Sequence, residues 1–223
     1  MFYSKAVTPS TPPAHSSETG TQLETGTRML GLTGSIGAGK STAANILRKH
    51  GLTVLDADAA AHTLSRSLEV QTEVARQLGP QYVTADGFDR AALAALVFAD
   101  PAKRDVLNAI LHPRVRALLG QQTAEAAARG EAWVVQDVPL LFEGDGWRQM
   151  HATLLIDAPL ELRTLRVMKR SGLDRETVLA RDAAQMPAEQ KRRLATVVVD
   201  NSGDEAQLEA GLLEALRELG IRE

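Results

Sequence analysis

The residues with the plainest chemical purpose are Gly34-Ser35-Ile36-Gly37-Ala38-Gly39-Lys40-Ser41, which fit the pattern G-x-x-x-x-G-K-[ST]. Glycines at this spacing let backbone N–H groups turn inward around phosphate oxygens, and a helix starting at Lys40 adds its positive end. Lys40 reaches the β- and γ-phosphates, the Ser41 hydroxyl ligates Mg²⁺, and Gly34 to Thr42 form the expected ATP-binding segment. An ordinary glycine turn would not need the lysine, the serine and the spacing together.

Carboxylates come next. Asp56 and Asp58 follow the apolar run Thr53 to Leu55, where the carboxyl end of a parallel strand would present them to a ligand. Beside transferring phosphate, one can accept a substrate proton and the other orient the acceptor or hold metal-bound water. Asp58 is the candidate base, although the residue types equally allow it to cap the alanine-rich helix that follows. Asp137 ends a second apolar run, Trp133 to Gln136, in the manner of a Walker B carboxylate. Pro139-Leu140-Leu141-Phe142 after it reads as core packing, while Glu143 is a candidate substrate contact.

Arg163, Arg166 and Arg170 fall at i, i+3 and i+7, which puts three guanidiniums on one helix face, and Arg181 follows on the next helix. Guanidinium forks match phosphate oxygens and stabilise charge spread over a transferring phosphoryl group. His62 and His112 carry no such pattern, and a lone histidine is more often structural.

These residues require a frame. Apolar runs at Leu30 to Thr33, Thr53 to Asp56, Trp133 to Val138, Thr153 to Asp157 and Thr196 to Asp200 predict five strands alternating with helices, hence a parallel α/β sheet. The second strand is expected beside the first. A helix from Ser41 to about His50 closes on Gly51, Asp100-Pro101 reads as an N-cap with proline at N1, Pro159 and Pro187 fit N1 as well, and Ser202 with Glu205 forms a capping box. No strand is expected between Asp58 and Arg129, where helical stretches are broken by Gly79-Pro80, the polar turn Thr84 to Asp89, and Pro113. A helical insertion of about 59–130 and an arginine-rich helical segment of about 160–194 follow from this reading. Residues 1–28, dense in Ser, Thr, Pro and Gly, read as a disordered tail before a domain of 29–223.

Composition closes off other classes. The 223 residues carry 25 Lys plus Arg against 28 Asp plus Glu, a net charge of -3, so a general nucleic-acid binder is excluded and any anion site is local. No run approaches the ~20 apolar residues that a membrane helix needs. The absence of cysteine removes disulfides, thiolate metal sites and thiol nucleophiles, and suits a reducing cytoplasm. A soluble monomer without nucleic-acid or membrane partners is expected.

Taken together, Gly31 to Ser41, Val54-Leu55-Asp56-Ala57-Asp58, Leu111-His112-Pro113, Pro139 to Glu143, Arg181 with Gln185, and Asp200-Asn201 resemble the dephospho-CoA kinase family in order and spacing from Met29 onward. The resemblance implies a three-layer P-loop kinase fold, a five-stranded parallel sheet with helices on both faces, a helical CoA-binding insertion and a helical lid. It implies transfer of the ATP γ-phosphate to the ribose 3′-hydroxyl of dephospho-CoA, with Mg²⁺ as the metal. Asp58 then corresponds to the base and Arg166 and Arg170 to lid arginines. Asp56, His112, Glu143 and Arg181 fall at the acceptor, and Asn201 in the segment near the adenine. Ser35 and Ala38 replace the commoner Gly and Ser, Arg163 stands where Gln is usual, and Thr196 stands where Asp is common.

Shikimate and gluconate kinases share the loop and an Asp-x-Asp after the second strand, but their Gly-Gly-Gly and Phe-Arg substrate signatures are missing here. A regulatory P-loop NTPase is the reading from another class. A GTPase would carry Asn-Lys-x-Asp, which does not occur, and Asp200 to Gly203 lies after the last strand, the wrong place for D-x-x-G.

Overall fold

The computed structural model describes residues 26–221. The expected tail lies outside these except for its last residues, and Arg28 already belongs to a strand: its N–H donates to the Ala132 carbonyl at 2.9 Å, after the Thr27 hydroxyl has donated to Glu131 at 2.6 Å.

In chain order, β1 (Arg28–Gly34) leads through the glycine turn into α1 (Lys40–Lys49), and β2 (Thr53–Asp56) runs directly into α2 (Ala57–Ser65). Then come α3 (Leu68–Gln77), a short antiparallel hairpin of β3 (Val83–Thr84) and β4 (Gly87–Phe88), α4 (Arg90–Ala99) and α5 (Pro101–Ala128). The chain returns to the sheet with β5 (Trp133–Asp137) and β6 (Ala152–Asp157). It leaves it for α6 (Leu160–Ser171), α7 (Arg175–Ala183) and α8 (Ala188–Leu194), and finishes with β7 (Val197–Asp200) and α9 (Glu205–Glu218).

The five long strands form one parallel sheet in the order β2-β5-β1-β6-β7. All five expected strands are present, but β2 is not the neighbour of the loop-bearing strand, because β5 pairs with both and separates them. The registers place Leu32 and Asp56 opposite Asp137, and Asp157 opposite Asp200, so four aspartates end strands at one edge of the sheet.

Strand alternation assigns the faces. Leu30 and Leu32 of β1 and Val135 of β5 enter a core with Ile46 and Leu47 of α1 and Leu208, Leu212 and Leu216 of α9, each nearly or wholly removed from water. On the opposite face, Thr33 donates to the Pro139 carbonyl at 3.1 Å and Gln136 to the Thr123 hydroxyl of α5 at 3.3 Å, which gives the sheet its second cover. At about 1.5–3 kcal/mol per buried Leu or Ile side chain, this sandwich holds the rest of the chain in place. The segment from α2 to α5 has a core of its own, Val70, Val74, Leu78, Leu93 and Ile110, with Phe88 of the hairpin packed against it.

Several local expectations change. The expected polar turn from Thr84 to Asp89 lies within a short hairpin, Val83–Thr84 paired with Gly87–Phe88, in a region where no strand was expected. Pro113 does not break α5, which runs unbroken through it. An interior proline costs roughly 3 kcal/mol, and here the helix is anchored on both sides of it by buried Ile110 and Leu119. The capping box of α9 is Asp204 with Gln207, at 2.9 and 3.0 Å, in place of Ser202 with Glu205. Pro159 and Pro187 are N-caps, one residue earlier than expected, whereas Asp100-Pro101 caps α5 as the sequence requires. No helix among the described residues is long and apolar enough to cross a membrane.

Candidate active site

The glycine loop sits where β1 gives way to α1. Gly37 and Gly39 take φ of +79° and +98°, which residues with a Cβ rarely adopt. Space forbids a side chain as well: a Cβ on Gly37 would lie 2.5 Å from the Arg163 carbonyl oxygen, and one on Gly39 2.0 Å from Asn201 Nδ2. No side chain caps α1, so its first N–H groups remain available to phosphate.

Neighbours hold the loop from behind. Asn201 Nδ2 donates to the Ala38 carbonyl at 2.8 Å, and its own backbone is fixed by Asp157 at 2.7 Å and by the Arg166 guanidinium at 2.8 Å. Asn201, expected among the ATP contacts, is 7% exposed and spends its side-chain amide on the loop backbone. The Ile36 peptide is gripped at both ends: its N–H donates to Gln185 Oε1 at 3.0 Å, and its carbonyl accepts from Arg163 at 3.1 Å.

The arginine stripe of α6 is therefore graded, not uniform. Arg163 is 3% exposed and bonded to Ala158, Ile36 and Asp182; it is a strut between α6, α7 and the loop, and is not free for phosphate. Arg166 is half-buried on Asn201. Arg170 and, on α7, Arg181 are exposed, with no carboxylate partner among the described residues.

At the carboxyl edge, Lys40 Nζ meets Asp137 Oδ1, an ion pair whose carboxylate is 4% exposed. Burial pushes the Asp137 carboxyl above its usual range, the bond and charge of Lys40 oppose this, and the charges of Asp56 and Asp58 add to it. Those three carboxylates thus act on one another across β5 and β2. Their roles separate cleanly: Asp56 Oδ1 accepts from the N–H groups of Asp58 and Ala59 at 2.8 and 3.0 Å, making it the N-cap of α2. Asp58, for which capping was the competing role, exposes its carboxylate in the first turn with no hydrogen-bond partner among the described residues.

Glu143 is engaged inside the protein. Its Oε1 accepts from the Met186 N–H at 3.0 Å and lies 2.9 Å from the ammonium of Lys191, which has no exposed surface. His112 lies on the outer side of α5, where partial removal of its ring from water, together with the Arg116 charge, pulls its pKa down. Thr196 exchanges hydrogen bonds with Thr153 at 2.9 and 3.0 Å, which stitches the entry of β7 to β6 and gives this threonine a structural role. Asp182 and Lys191 carried no sequence signal, since each sits in a charged run that reads as a solvated surface.

A parallel sheet whose first strand delivers a glycine loop to a helix, with lysine and aspartates at the carboxyl edge and an arginine-bearing helical segment beyond, defines a P-loop kinase. Comparison with known proteins narrows the class. The family model for dephospho-CoA kinase matches residues 28–207. A dephospho-CoA kinase from Deinococcus radiodurans is 59% identical over 194 residues, covering 87% of this chain and 93% of that protein, and one from Thermus thermophilus is 48% identical over 192 residues, covering 86% and 91%. The crystal structure of TT1252 from Thermus thermophilus superposes with a TM-score of 0.75 at 46% identity, over 87% of this chain and 98% of that one. A dephospho-CoA kinase from Campylobacter jejuni gives 0.64 at 26% identity, over 86% and 96%. The chain belongs to the dephospho-CoA kinase family.

Proposed function

We propose that this enzyme transfers the γ-phosphoryl group of ATP to the ribose 3′-hydroxyl of dephospho-CoA, and that Asp58 receives the hydroxyl proton. The observation that carries the reading is the meeting of Lys40 with Asp137, under the charges of Asp56 and Asp58, at the strand edge where the glycine loop opens. The acceptor oxygen bonds to the γ-phosphorus as the bond to the leaving ADP oxygen breaks. Loop N–H groups from Gly34 to Thr42 hold the phosphates, and Lys40 swings from Asp137 toward the β- and γ-oxygens. Arg170 and Arg181 meet the spreading negative charge once α6 to α8, the lid of 160–194, close. The segment of 59–130 carries the acceptor.

The residues suit Mg²⁺: the exposed Ser41 hydroxyl and the Asp137 carboxylate are oxygen donors, and this ion takes its remaining ligands from phosphates and water. When bound, Mg²⁺ neutralises phosphate charge. Asn201, by holding Ala38 and Arg166, keeps the loop in register with β7. The lack of cysteine suits a reducing cytoplasm, where the enzyme works as a monomer.

ATP turnover measured with dephospho-CoA, shikimate, gluconate or no acceptor tests the reading. Turnover should require dephospho-CoA, since lid closure over both substrates excludes water. Equal turnover without an acceptor would refute it.

A further inference from the structure

Asp58, His62 and Arg66 are spaced i, i+4 and i+8, so they share one face of α2 and its C-cap, and all three are exposed. From the start of α4, in the same insertion, Arg90 reaches back and places its guanidinium on His62 Nδ1. Arginine is always a charged donor, so Nδ1 is the acceptor and the ring proton sits on Nε2, leaving a second donor beside the guanidinium. A carboxylate would be the ordinary partner for either arginine, yet Asp89, Glu69 and Glu73 are committed elsewhere. Asp89, next to Arg90, caps α4 through the Ala92 N–H at 2.9 Å. Glu69 pairs with Arg114 at 2.8 Å and Glu73 with Arg76 at 2.7 Å. Among the described residues neither Arg66 nor Arg90 has an anionic partner.

The spacing acts as a ruler. Four helical residues rise about 6 Å, so the Arg90–His62 pair stands about one turn beyond Asp58, and Arg66 about one turn beyond that. From a ribose 3′-oxygen through C4′ and C5′ to the 5′-phosphate is a comparable reach. An acceptor whose 3′-hydroxyl lies at Asp58 therefore brings its 5′-linked phosphates to the one unneutralised cationic stretch of this helix face.

We propose that Arg90, with His62 and Arg66, forms the subsite that binds the 5′-diphosphate of the acceptor nucleotide. This rests on the reading of Asp58 as the residue at the 3′-hydroxyl and names the anchor that sets the acceptor's direction on α2. Arg90 supplies two parallel N–H donors to one phosphate, His62 holds that guanidinium in place and adds its Nε2–H, and Arg66 meets the second phosphate. Because Arg90 arrives from α4, acceptor binding also ties α4 to α2.

Calorimetric titration of the full chain with dephospho-CoA, and separately with adenosine, which has the ribose hydroxyl but no phosphate, tests the subsite. Arg90→Met should weaken dephospho-CoA binding about 10- to 100-fold, the loss of charge-assisted bonds, and leave adenosine and ATP binding within about twofold. Arg66→Met should act in the same direction, and Arg90→Lys, which keeps charge but not the fork, should recover part of the loss. Unchanged dephospho-CoA affinity in Arg90→Met, or equal losses for adenosine and dephospho-CoA, would overturn the subsite. The Asp58 reading fails separately, through turnover retained in Asp58→Asn, so the two claims are told apart by affinity against kcat.

Discussion

Lys191 and Glu143 form an ion pair 2.9 Å long in which the lysine has no solvent-exposed side-chain surface and the glutamate keeps about a fifth of its own. The pair joins α8 to the turn after β5, and Glu143 also takes the Met186 N–H. The exposure is asymmetric, so the consequences of breaking it should be too. Glu143→Gln strands a buried ammonium and should cost about 3–5 kcal/mol. Lys191→Met leaves a carboxylate that water and Met186 still serve, and should cost about 1–3 kcal/mol. Urea unfolding midpoints read both, and equal losses would contradict the asymmetry.

Arg163 and Arg170 share a helix but should fail in different ways. Arg163→Met removes the strut that holds Ile36 and Asp182, and should lower the melting temperature and raise the KM for ATP together. Arg170→Ala removes an exposed side chain that has no ion-pair or hydrogen-bond partner among the described residues, so stability should stay within about 0.5 kcal/mol, while kcat falls about 10²–10³-fold through lost transition-state charge stabilisation. A rise in KM alone for Arg170→Ala would make its role uniform binding.

Asp58 and Asp56 should likewise separate. Asp58→Asn should lower kcat about 10²–10⁴-fold with ATP affinity nearly constant, and retention of more than about a tenth of the wild-type kcat would remove the base assignment. Asp56→Ala should cost roughly 1 kcal/mol of stability through the lost α2 cap, which Asp56→Asn, itself a good cap, should largely retain.

Asp137 carries a pH signature. Its folded pKa is raised from 3.8, chiefly by burial, so the native protein binds this proton more tightly than the unfolded chain does. The stability it confers is full below 3.8 and is lost as pH rises through the folded value. Asp137→Asn removes that titration, so the melting temperature of the variant relative to wild type should climb as pH rises from below 3.8 to neutrality. A flat difference would contradict the burial-driven shift.

The existence of all five parallel strands was legible because each apolar run is short and bounded by turn or cap residues, with Val, Ile or Thr frequent in the last four, while β1, built on Leu30 and Leu32, was marked by the glycine loop that follows it. Their order was not, since nothing local in Thr53 to Asp56 says that β5, arriving some eighty residues later, inserts between it and β1. The glycine loop and Lys40 were legible as chemistry, because their spacing is dictated by phosphate itself. What holds the loop was not: Arg163 reads as one of three equivalent phosphate arginines until its burial against Ile36 and Asp182 is seen, and Lys191 reads as surface charge in a Lys-Arg-Arg run. Asp56 and Asp58 look alike in sequence, and only hydrogen bonds to Asp58 and Ala59 show which one caps α2. Periodicity reports the faces of elements, whereas these distinctions depend on partners far along the chain.

The position of the transferred phosphate decides whether the ribose 3′-hydroxyl is the acceptor. With ATP labelled in the γ-phosphate and dephospho-CoA as acceptor, phosphorus NMR of the product should show one new labelled phosphomonoester coupled to the ribose 3′ proton, in amounts equal to the ADP formed. Label released as inorganic phosphate, or attached anywhere other than the ribose 3′-oxygen, would contradict the account.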